Sequence, residues 1–151
     1  MNKTWFIDID GTLVKHLENK EIEEGVREEL LPYAVEFLEG VKERGDCIIL
    51  TTARLEEHRS VTIQTLDHFN IPYHQIIFGI GSQERILIND IKPKGATDSG
   101  RQHSLPTAYA INVERNIGFA DILCYNFNRP IQNKKDYAWE LIQYDETNNR
   151  S

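Results

Sequence analysis

The sequence predicts an α/β fold, a three-layer sandwich built on a mostly parallel sheet. Three observations carry that prediction. Short, near-continuous apolar runs, "TWFIDI" (4–9), "CIILTT" (47–52), "QIIF" (75–78), "ILIN" (86–89) and "AYAINV" (108–113), read as strands buried on both faces. Between the first of them lie segments of helical period, so strand and helix alternate. A chain of 151 residues, 40% of them hydrophobic, suffices for one core and not for two, so one domain spanning 1–151 is expected.

Each element follows from its own residues. Residues 4–9 are β-branched and aromatic and stop at Asp10-Gly11, a strand running into a turn. The polar stretch after it, with Leu13, Val14, Leu17 and Ile22 scattered through it, suggests a small hairpin flap over 12–25. A helix is expected from Pro32 to Arg44: Pro suits a first turn, Ala34, Phe37, Leu38 and Val41 recur at helical spacing, and Gly45 closes it. A second helix is expected over Leu55–Phe69, with Val61, Leu66 and Phe69 inward and "NIP" as its stop. Residues 91–106, rich in Gly, Pro and basic side chains, read as a loop, and 134–151 as one late helix and a tail.

Composition excludes several classes of function. A net charge of −7 gives no general attraction to nucleic acid or to anionic membranes. There is no apolar stretch of spanning length and no secretory pattern at the N-terminus, so a cytoplasmic location and no membrane partner are expected. Cys47 and Cys124, 77 positions apart, read as two buried thiols. The five histidines show no paired ligand spacing and read as surface or satisfied residues. The acidic run "EIEEGVREEL" reads as a solvated face.

In parallel sheets ligands bind beyond the carboxyl ends of the strands. Asp8 with Asp10, Thr51 with Thr52, and Asn89 with Asp90 all fall at such ends. Two carboxylates set two residues apart on an extended chain share a face and repel unless a hard cation lies between them. Oxygen-only ligands with few carboxylates suit Mg²⁺, which usually completes its shell with water and substrate phosphate, so a phosphate ester is the implied substrate. One aspartate then attacks phosphorus and the other protonates the leaving oxygen and activates water.

"FIDIDGTL" resembles the first motif, Asp-x-Asp-Gly-Thr, of the haloacid dehalogenase (HAD) superfamily, whose phosphatases share a Rossmann-like fold and require Mg²⁺. The resemblance implies Asp8 as nucleophile and Asp10 as acid/base, with metal on the Asp8 side chain and the Asp10 backbone carbonyl. "IILTTAR" is similar to the second motif, with Thr52 rather than Thr51 on the phosphate, and "ILIND" to the fourth, with Asp90 as a further metal ligand and Asn89 where many members carry Asp. The chain departs from the family in having no lysine from Glu43 to Ile91. Lys92 and Lys94 leave the "ILIN" strand on the side of the site, and Lys92 and Arg54 are ranked ahead of Arg85 as the phosphate's cation. The intervals between motifs leave no room for a cap domain, so the site is expected to be open, for a sugar phosphate, a nucleotide or a phosphorylated polymer end. The 91–106 loop, with Arg101 and His103, or a second subunit of a homo-oligomer, is expected to enclose a small substrate. Two other functions stay open at this point: a binding or scaffolding module without turnover, and a phosphotransferase.

Overall fold

The computed structural model describes residues 3–95 and 104–122. They divide into two compact units, residues 3–84 with 113–122 and residues 85–95 with 104–112. In the first unit the order is β1 (Thr4–Asp8), α1 (Asn19–Glu23), α2 (Ala34–Glu43), β2 (Cys47–Thr51), α3 (Arg59–His68) and β3 (Gln75–Ile77). The three strands form one open parallel sheet in the order β1-β2-β3. This is a mixed α/β fold with α2 linking the first strand pair and α3 the second, as the alternating pattern predicts.

The core lies between α2 and the sheet. Trp5 pairs with Ile48 and Ile7 with Leu50 in the parallel register, which puts these four residues on one face. Ala34, Phe37, Leu38 and Val41 are the buried stripe of α2, and its packing partner is β2, where Ile48 and Leu50 are fully buried. Phe37 meets Trp5 edge-on at 5.6 Å and Phe119 at 4.9 Å between ring centroids. Each fully buried Leu, Ile, Val or Phe side chain among them contributes about 1.5–3 kcal/mol by leaving water. The helix ends where expected: Gly45 takes φ 73°, its N–H reaches Lys42 O at 2.8 Å and the Asp46 N–H reaches Val41 O at 3.3 Å, the paired bonds of a Schellman stop. It starts later than expected because Tyr33 adopts φ 61°, so Pro32 and Tyr33 form a turn ahead of the helix. The buried Asp46 carboxylate then ties the start of β2 to β1, accepting from Lys3 N at 2.8 Å and Trp5 Nε1 at 2.9 Å.

The expected helix over 55–69 is a 3-10 turn, Glu56–His58, running into α3. Thr62 and Leu66 are its buried residues, whereas Val61 and Phe69 are half-buried along a hollow of about 340 Å³ shared with Ile22 and Val26. The flap is longer than the expected 12–25. Its base is closed by antiparallel contact of residues 13–15 with 29–31, through Lys15 N to Glu29 O at 2.8 Å and Leu31 N to Leu13 O at 2.9 Å, and α1 lies within it.

In the second unit, 86–89 and the 108–112 part of 108–113 form no strand, contrary to the sequence expectation; residue 113, in the first unit, is not in a strand either. Ile86 and Ile88 are 85% and 90% exposed. An apolar run records a tendency to be buried, but a strand exists only where a neighbour accepts its backbone bonds. Here that pairing is an isolated bridge, in which Lys92 and Leu105 exchange two N–H···O bonds of 2.8 Å. Arg101, His103, Cys124 and the expected helix and tail over 134–151 lie outside the described residues. Cys47 is a half-buried free thiol. Among the described residues no helix is long and apolar enough to cross a membrane.

Candidate active site

The carboxyl ends of β1 and β2 bring together most of the residues singled out in the first 60 positions. Asp8 is the last residue of β1 and lies in register with Thr51, the last of β2. The chain then turns sharply: the N–H groups of Thr12, Leu13 and Val14 converge on Ile9 O at 3.3, 2.9 and 3.1 Å, and Gly11 N donates to Val14 O at 2.7 Å. Gly11 has φ 82°, and a Cβ there would stand 3.0 Å from Arg115 Cγ, so the Asp-Gly step is dictated by the turn. The turn aims the Thr12 hydroxyl at Asp8 Oδ2, 3.3 Å away. Asn116 braces it from outside, donating to Gly11 O at 2.8 Å and accepting from His16 N at 2.8 Å.

Asp10 is held on both oxygens. Arg54 Nε donates to Oδ1 and Oδ2 at 3.1 and 3.0 Å, Arg54 Nη2 to Oδ1 at 2.7 Å, and the Thr52 hydroxyl to Oδ2 at 3.1 Å. Arg54 is 2% exposed; Nη1 donates to Thr62 Oγ1 at 3.1 Å and Nη2 also to Glu28, whose other oxygen accepts from Thr65. Burial alone would lower the Arg54 pKa, but the hydrogen bonds to Asp10 and then Glu28, with their charges, outweigh it and raise the value. The guanidinium is therefore a fixed cation between two carboxylates.

Two of these residues are more enclosed than a strand-end position alone suggests. Thr52 is fully buried and its hydroxyl, besides donating to Asp10, accepts the Arg54 backbone N–H at 3.0 Å. Thr52 and Arg54, expected on the phosphate, are both buried and both bonded to the Asp10 carboxylate here. Glu28, Thr62 and Thr65 complete the network, and sequence reasoning missed them. The only available signal was indirect: a buried arginine needs acceptors.

The second unit holds the other expected residues. Asp90 and Lys92 form an exposed ion pair, Nζ to Oδ1 at 2.8 Å and to Oδ2 at 2.9 Å, and the Lys92 hydrogen bond lowers the Asp90 pKa. Asn89 Oδ1 accepts the Asp90 N–H at 3.0 Å. Since 86–89 is not a strand, neither Asp90 nor Arg85 occupies the strand-end position the sequence suggested.

For a metal, the first unit offers oxygen: the Asp8 carboxylate and the Asp10 backbone carbonyl fit a hard cation, while the Asp10 carboxylate is already engaged by Arg54 and Thr52. A separate group, Glu23, Glu57 and His58, has potential donor atoms within 4.8 Å of one another. His58 is buried rather than superficial, with Nε2 3.5 Å from Glu23 and 3.9 Å from Glu57, and with Nδ1 lacking a hydrogen-bond partner among the described residues.

The chain's own structure gives its class, a mixed α/β protein with a small parallel sheet. No family model matches the sequence, and no curated protein matches it. The chain is similar to a Vibrio cholerae protein of known crystal structure, with 18% identity and a TM-score of 0.43 over 58% of this chain and 79% of that one.

Proposed function

We propose that the protein is a Mg²⁺-dependent phosphomonoester hydrolase of HAD-like, Rossmann-like architecture, located in the cytoplasm, with Asp8 as the nucleophile. One observation carries the reading: two adjacent parallel strands end at Asp8 and Thr51, with Asp10 two residues beyond, locked in place by Thr52 and Arg54. In the reaction an Asp8 oxygen attacks phosphorus, the P–O bond to the leaving alcohol breaks, and that oxygen takes a proton. Water then attacks the aspartyl-phosphate, releasing phosphate and restoring Asp8. Asp10 handles the proton in both halves. The Asp8 carboxylate and the Asp10 carbonyl would hold Mg²⁺, which would supply charge neutralisation for the phosphoryl group. Asp90 and Lys92 enter this reading only through the sequence resemblance. The substrate is a sugar phosphate or a nucleotide.

A second reading, a binding module without turnover, has one observation in its favour: both oxygens of the Asp10 carboxylate already accept hydrogen bonds from Arg54 and Thr52, whereas a general acid must carry a proton. Hydrolysis of a panel of sugar phosphates and nucleotides separates the two. The hydrolase reading expects Mg²⁺-dependent phosphate release that Asp8→Asn abolishes with an unchanged circular dichroism spectrum. Full activity in Asp8→Asn would remove Asp8 from the mechanism.

A further inference from the structure

We propose that Glu28 is a positioning residue: from the return limb of the flap it fixes the plane of the Arg54 guanidinium, and through it the direction of the Asp10 carboxylate. The inference rests on the hydrolase reading for its catalytic consequence, but not for its geometry. A fork of two N–H groups on one carboxylate tends to hold two planar groups in line, so Asp10 follows Arg54. Arg54 in turn cannot be oriented by solvent, being 2% exposed; its far side is set by Thr62 on α3 and by Glu28.

Glu28 is itself pinned. Thr65, one turn along α3 from Thr62, donates to its second oxygen, and the next residue, Glu29, is bonded through its carbonyl to Lys15 N at 2.8 Å in the base of the flap. The flap, α3 and the loop after β2 thus meet on one guanidinium. An error in the Glu28 position is transmitted to Asp10 without any contact between Glu28 and substrate. Such an error slows the proton transfer and leaves substrate binding alone, so it falls on kcat rather than KM.

The test uses p-nitrophenyl phosphate with Mg²⁺ and, in the metal-free protein, hydrogen exchange of the Arg54 Nε–H followed by ¹⁵N NMR, its resonance assigned by its loss in Arg54→Lys. Glu28→Ala is expected to lower kcat about tenfold with KM within about twofold. The same change speeds exchange of the Nε–H about tenfold. Glu28→Gln keeps an acceptor for Arg54 and a donor for the Thr65 oxygen, and returns both readouts most of the way. Should Glu28→Ala fail to fold, Glu28→Asp replaces it: one methylene shorter, it cannot span Arg54 and Thr65 and shows the same two losses. Wild-type kcat and exchange in the truncated variant overturn the proposal while the hydrolase reading stands. A wild-type protein without hydrolysis, in which Glu28→Ala still accelerates the exchange, sinks the hydrolase reading and leaves the positioning intact.

Discussion

Two acid–base pairs of the same chemical kind sit in this chain in opposite surroundings. Asp10 and Arg54 are joined by bonds of 2.7 to 3.1 Å beneath the flap, with the arginine 2% exposed and a second carboxylate on its far side. Asp90 and Lys92 are joined just as closely, at 2.8 and 2.9 Å, yet lie exposed on a segment without regular structure. Distance alone does not rank them. An exposed pair exchanges protein contacts for water at little net gain, whereas a buried one cannot lose a member without stranding the other.

The most severe challenge to this contrast is Arg54→Met, which leaves Asp10 and Glu28 facing each other without their cation. Urea unfolding is expected to show a loss of about 3–5 kcal/mol. Arg54→Lys recovers part of it, because one ammonium cannot reproduce a planar fork on Asp10 together with bonds to Thr62 and Glu28. A smaller effect is expected for Thr52→Val, which keeps the shape and removes the hydroxyl from Asp10 and from the Arg54 backbone N–H: about 1–3 kcal/mol, restored by Thr52→Ser.

The smallest effect belongs to the exposed pair. Its hydrogen bond from Lys92 puts the folded-state pKa of Asp90 below the unfolded value, so the stabilisation exists above the unfolded value and is lost as pH falls through the folded one. Comparing urea midpoints of the wild type and Asp90→Asn from about pH 7 down to about pH 3 at low salt should show that slight acid-side loss in the wild type alone. A midpoint shift rivalling that of Arg54→Met would erase the distinction between the two regions.

The same contrast explains what the sequence made legible. β1, β2 and β3 were readable because their apolar runs find parallel neighbours, and α2 because its stripe and its Gly45 stop are local signals. "ILIN" carries the same pattern and has no partner strand among the described residues, a fact no single segment encodes. Asp8, Asp10, Thr52 and Arg54 could be gathered from strand ends, but the brace role of the last two depends on which polar atoms are buried. Glu28 was hidden in "EIEEGVREEL", where five acidic residues look alike and the flap alone decides which one turns inward.

Among the described residues the aliphatic run Ile86-Leu87-Ile88 is exposed, and that exposure is expected to tell on behaviour in solution. Branched side chains in sequence, unpaired along the backbone, are the composition from which intermolecular β-aggregates start. Glu84 and Arg85 before the run and Asp90 and Lys92 after it supply opposing charges at both borders, the placement that gatekeeper residues take around a hydrophobic segment that cannot be avoided. In this light the exposed ion pair is expected to matter more for colloidal stability than for the fold, so that Lys92→Ala should raise light scattering on storage before it lowers the urea midpoint.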